Sequence, residues 1–157
     1  MFGLDLHPAV VHFPVALAAV GATAELVYMV FRRPLVKWFG PILLTLALAG
    51  SGVAYFSGKA VGDKAEHQGV PEAAVDKHEE SCLWALGTLG LATLLSWAVR
   101  PTGKGIWLST LVALTAAGLT LYTGYLGGEL VYVHGAGRVK ASAQHAKPPP
   151  SPRRTTR

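Results

Sequence analysis

The sequence predicts an all-α fold, a bundle of four transmembrane helices followed by a disordered C-terminal tail. Three observations lead there. Hydrophobic residues make up 51% of the 157 and charged residues only 15%, well below the quarter or so usual in soluble domains. Four apolar stretches approach the ~20 residues that a helix rising ~1.5 Å per residue needs to cross a hydrocarbon core of ~30 Å. Every aromatic residue falls near a span end and none in the middle of a span, the two-belt distribution of membrane proteins.

The first span, Ala9 to Phe31, is interrupted only by His12, Pro14 and Glu25. Phe39 to Phe56, Cys82 to Val99 and Ile106 to Gly128 carry no charge at all. A soluble four-helix bundle keeps a polar face on every helix. These runs are apolar all round, which excludes it. Gly50, Ala54 and Gly58 follow at four-residue intervals, as do Thr120, Gly124 and Gly128, and such small-residue stripes predict close helix packing. Glu25, near the far end of the first span, reads as a snorkelling carboxylate. The membrane domain is thus residues 1–137. Residues 138–157, with Pro148, Pro149, Pro150 and Pro152, read as a basic, disordered, solvated tail.

The formal net charge of +5 would suit nucleic acid, but six of the fourteen Lys and Arg follow Glu129, the last acid. Ahead of them the chain is close to neutral, so nucleic acid is excluded as a partner. No Lys or Arg precedes the first span, whereas Arg32, Arg33 and Lys37 follow it, and Arg100 and Lys104 sit in the other short connector. The positive-inside rule then puts both connectors in the cytoplasm and both termini on the periplasmic, outer side of a bacterial inner membrane. The opposite flank carries six basic residues (Lys59, Lys64, Lys77, Arg138, Lys140, Lys147) against these five; the first helix, which usually sets topology, decides. The basic n-region of a cleavable signal peptide is missing.

The histidines are the most informative feature. His7 and His12 open the first span, His67 and His78 bracket the connector between spans two and three, His134 follows the fourth span and His145 lies in the tail. With an even number of spans, all map to the side of the termini. His12 sits about one helical turn inside the apolar boundary, where an ionisable residue is by default a functional hypothesis. Neutral imidazole is the commonest metal ligand and an axial ligand of haem iron. Two imidazoles on neighbouring helices would clamp a haem at the rim, walled by Phe13, Tyr55, Phe56 and Trp84. A competing site is non-haem: His78 and Cys82 are four apart and share a helix face, and Glu79 and Glu80 add oxygen ligands, a mixture suited to zinc or copper. Against both stands the plain interfacial histidine; His7, directly before Pro8 and near Asp5, has the setting of a helix start. Glu129 is placed to pair with a rim histidine and fix its tautomer. No phosphate loop, nucleophile elbow or enzymatic carboxylate pair is present, so nothing reads as a self-sufficient enzyme.

The segment Leu6-His7-Pro8-Ala9-Val10-Val11-His12-Phe13-Pro14-Val15-Ala16-Leu17 is distinctive, as is Gly127-Gly128-Glu129-Leu130-Val131-Tyr132-Val133-His134-Gly135. Together they resemble the bacterial membrane family called domain of unknown function 2231, and His78-Glu79-Glu80 is similar to that family's third-helix opening. The resemblance covers about residues 4 to 138. It implies a four-helix integral membrane domain of unassigned activity with redox or haem-linked roles, and carries over His7, His12, His78, Glu129 and His134.

The resulting expectation is a b-type cytochrome-like electron-transfer subunit in the lipid bilayer. His12 and His78 form the first axial pair for haem b; His7 and His134 form a second pair or contact the cofactor's periphery. A c-type cytochrome or a larger respiratory complex is the expected partner. The alternatives are a copper or zinc site built on His78, Cys82, Glu79 and the other rim histidines, and a structural subunit without a cofactor.

Overall fold

Each apolar stretch becomes a helix longer than the stretch itself. In the computed structural model, which describes residues 7–137, α1 is His7–Phe31, α2 is Phe39–His67, α3 is Glu72–Val99 and α4 is Ile106–Tyr132, with a 3-10 turn at Pro34–Val36. All four are long and apolar enough to cross a membrane, and no strand occurs among the described residues. The tail expected over 138–157, His145 included, lies outside the described residues.

The stretch 59–80, expected as a connector, corrects to helix: α2 continues to His67 and α3 begins at Glu72. Polar side chains there mark the end of the hydrocarbon, not the end of the helix, since Lys, Glu and Ala are all good helix formers. At 29 residues α2 rises about 43 Å, more than a ~30 Å core can hold. Its extension is held by Ala65, Val70 and Val75, which bury against Leu130 and Ala136. Gly69 at φ +95° stops α2, in a left-handed conformation that glycine adopts without steric cost, and Pro71 stands directly before α3. His67 and His78 therefore sit on helices; the His67 ring bonds through Nδ1 to the Asp63 carbonyl at 2.6 Å.

The helices form a square. α1 packs on α2 and α4, α3 packs on the same two, and α1 and α3 face each other across the diagonal. The centre is built of small residues, among them Ala18, Ala22, Ala47, Ala92, Ala113 and Ala116, with Leu44 and Leu89, which lets backbones approach closely where no hydrophobic force acts between helices.

The two hairpins repeat one pattern. Pro14, Ala18, Gly21, Ala22 and Glu25 of α1 are buried, and Ala85, Leu89, Ala92, Thr93 and Ser96 of α3 are buried at the same spacings. Gly40, Pro41, Leu44 and Ala47 of α2 correspond in the same way to Ser109, Thr110, Ala113 and Ala116 of α4. Both hairpins leave from the same side of the bundle, so a rotation about the bundle axis relates them, a parallel repeat of the kind known in other membrane proteins. In this correspondence His7 matches His78, Trp38 matches Trp107 and Gly58 matches Gly127.

Candidate functional site

Two polar clusters occupy opposite ends of the bundle. At the end of the termini, the His7 ring lies half-buried over Gly58 of α2; a Cβ on that glycine would meet His7 Cε1 at 2.8 Å. His7 Nδ1 is 3.0 Å from Ser57 Oγ. The Ser57 hydroxyl also donates to the Ala54 carbonyl at 3.0 Å, so Ser57 ties the His7 ring to the α2 backbone.

His78 repeats this placement on the other hairpin. Its ring lies over Gly127 of α4, where a Cβ would meet Cε1 at 3.2 Å. Nε2 is 3.6 Å from Cys82 Sγ, one turn along the same helix. Nδ1 is buried and has no hydrogen-bond partner among the described residues; the Thr123 backbone lies near the ring without closing a bond to that nitrogen. An orphaned buried ring nitrogen calls for an explanation.

The remaining expected site residues spread out. His12 is exposed on the outer face of α1, because five residues from His7 is about 140° around a helix; the structure does not bring it to His78. His134 lies half-buried in the turn after α4, joined to Glu129 by its backbone N–H, which donates to the Glu129 carbonyl at 3.2 Å. The Glu129 side chain lines a groove with Tyr125, Gly128, Tyr132 and Val133. Glu79 reaches Gly62 of α2, where a Cβ would meet its Oε1 at 3.3 Å. Among the described residues no three His, Cys, Asp or Glu side chains converge as a metal-ligand set.

At the connector end, Glu25 corrects the snorkelling expectation. It is 0% exposed, and its Oε1 accepts from Arg100 Nη2, itself on a residue 1% exposed. Ser96 Oγ donates to Oε1 at 2.5 Å and Ser109 Oγ to Oε2 at 3.4 Å. The Arg100 guanidinium lies over the Tyr28 ring at 4.6 Å. Gly40 of α2 closes the cluster, for a Cβ there would land on Glu25 Oε1. All four helices thus meet at one carboxylate. Both of its oxygens are engaged, so it acts as an interhelical clasp. Sequence reasoning assigned Arg100 to a short cytoplasmic connector; the i, i+4 spacing of Ser96 and Arg100, opposite the lone acid of that end, was the available signal. Gly58 had only its place in a small-residue stripe, Gly127 only its place in the segment Gly127–Gly135, and Ser57 had none.

A four-span membrane bundle with a histidine pair at one end is the class this geometry defines. Residues 3–140 match the family described as predicted membrane protein (DUF2231), and the chain belongs to that family. No curated protein and no solved structure matches it.

Proposed function

We propose that this protein is an electron-transfer subunit that holds haem b at its outer rim between His7 and His78. One observation carries the reading: two imidazoles on diagonally opposed helices occupy equivalent places in the two hairpins, each opposite a glycine. A bare zinc or copper ion needs three or four protein donors, whereas haem would need only one or two imidazoles from the protein, which His7 and His78 would supply. The donor set fits that need: Ser57 holds the His7 ring through Nδ1, and His78 Nδ1 is buried without a hydrogen-bond partner among the described residues. Each glycine lets its imidazole lie close against the facing helix backbone. Bound haem supplies one-electron chemistry, with its potential tuned by axial ligation, burial and hydrogen bonding.

In this reading His12 is not axial, and His134 and Glu129 line the cofactor's periphery. The termini and the histidine rim face the periplasmic side of a bacterial inner membrane. Acidic residues at that end, such as Glu72, Asp76 and Glu80, suit a basic partner surface such as that of a c-type cytochrome or a respiratory complex. The second reading, a copper site, rests on the thiol of Cys82 beside His78, since thiolate and imidazole together favour copper. Haem and metal content of detergent-purified protein from haem-supplied cells separates them. Haem near one per chain is expected; stoichiometric copper or zinc without haem would overturn the haem reading in favour of the second.

A further inference from the structure

The clasp and the histidine pair leave one feature of the connector end unused. Val20, Ala24 and Val27 of α1 and Phe39 and Leu43 of α2 line a groove on the outside of the bundle, which meets Leu35 of the 3-10 turn at its connector end. Thr23 also borders it, but its hydroxyl donates to the Ala19 carbonyl at 2.8 Å, so the wall offers no unsatisfied polar group. The groove lies along the hydrocarbon-crossing part of α1. The turn that ends it lies at the level of Trp38, which stacks on Trp97 with ring centroids 5.6 Å apart, and aromatic residues of this kind mark the headgroup region.

The charges around that turn are of one sign. Arg32, Arg33 and Lys37 flank it, and neither short connector contains an acid. The one carboxylate nearby, Glu25, is buried and engaged by Arg100. Arg32 is turned elsewhere: held at φ +52°, its guanidinium reaches Tyr28 and the Gly103 turn. Arg33 and Lys37 stand on either side of the turn whose Leu35 and Val36 line the groove, and the Lys37 ammonium rests over the Trp38 ring, 5.1 Å from its centroid, at the same level. We propose that this groove seats one acyl chain of an anionic phospholipid whose phosphate is held by Arg33 and Lys37. The apolar wall at hydrocarbon depth selects the chain; the guanidinium fork and the ammonium select a phosphate; and clustered basic residues beside a span recruit acidic lipid.

Native mass spectrometry of the full chain in neutral detergent tests this, using phosphatidylglycerol and phosphatidylcholine with the same acyl chains, and glycerol phosphate alone. Phosphatidylglycerol is expected to be retained roughly tenfold over phosphatidylcholine, with glycerol phosphate failing to displace it. The double variant Arg33→Gln, Lys37→Gln is expected to bind both lipids alike. Ala24→Phe, or Val20→Phe should the first fail to fold, is expected to lose the retained lipid while keeping its melting temperature. Equal retention of the two lipids by the unmodified protein, or full displacement by glycerol phosphate, would overturn the proposal. So would a preference that survives both sets of variants.

Discussion

Glu25 of α1 and Arg100 at the end of α3 form a fully buried ion pair, and Ser96 and Ser109 complete the shell around the carboxylate. Removing one partner of such a pair leaves an uncompensated charge, whereas removing both does not. Arg100→Met is therefore expected to lower the unfolding free energy by about 3–5 kcal/mol. The double variant Glu25→Gln, Arg100→Met is expected to recover most of that loss. Unfolding of the two variants in mixed detergent checks both; equal losses would show that the pair is not coupled.

Gly40 and Gly52 lie on the same helix and should respond oppositely to one added methyl group. At Gly40 the methyl collides with Glu25 Oε1, while at Gly52 nothing lies within 4 Å. Gly40→Ala is expected to destabilise by about 1–3 kcal/mol through overpacking against a carboxylate that cannot retreat. Gly52→Ala is expected to be neutral or stabilising by up to about 1 kcal/mol, since alanine is the better helix former. Thermal melts of the two variants decide the contrast.

The glycines opposite the histidines give a test of the haem proposal that leaves both imidazoles in place. Gly58→Ala and Gly127→Ala would push the His7 and His78 rings off their seats, by 2.8 and 3.2 Å contacts respectively. Each variant is expected to remain inserted and folded but to bind less haem, with Gly58→Ala the more severe. Haem content per folded protein is the readout, and unchanged content in both would remove the glycines from the site.

Orientation is tested by labelling. With Cys82→Ser as background, Gln68→Cys lies in the turn between α2 and α3 and Thr102→Cys in the turn between α3 and α4. A membrane-impermeant maleimide is expected to label the first in spheroplasts and the second only after lysis. The reverse pattern would invert the topology.

Much of this fold was legible from hydropathy alone. Span positions and helix count followed from apolar length, and the common side of the five described histidines followed from the even number of spans. The extensions of α2 and α3 were not legible, because a charged helix such as residues 59–67 has the composition of a loop once it leaves the bilayer. Nor were the facings of the histidines. His7 and His12 stand equally near the start of the first span, and only the rotation of α1, set by packing of Pro14, Ala18 and Ala22 in the core, turns one inward and the other out. The repeat stayed hidden for a related reason: the two hairpins share their pattern of burial, while α1 and α3 share little sequence beyond the histidine pair. Glu25 was misjudged because its partner lies 75 residues away, beyond the reach of any local pattern.

The central claim is that His7 and His78, not His12, hold a haem. The most direct test is the reduced-minus-oxidised absorption spectrum of purified unmodified protein and of His7→Ala, His12→Ala and His78→Ala, all from haem-supplied cells. The account predicts sharp low-spin bands in the unmodified protein and in His12→Ala, and their loss in His7→Ala and His78→Ala with the bundle still inserted. A featureless spectrum of the unmodified protein, or bands that survive in both His7→Ala and His78→Ala, would contradict it.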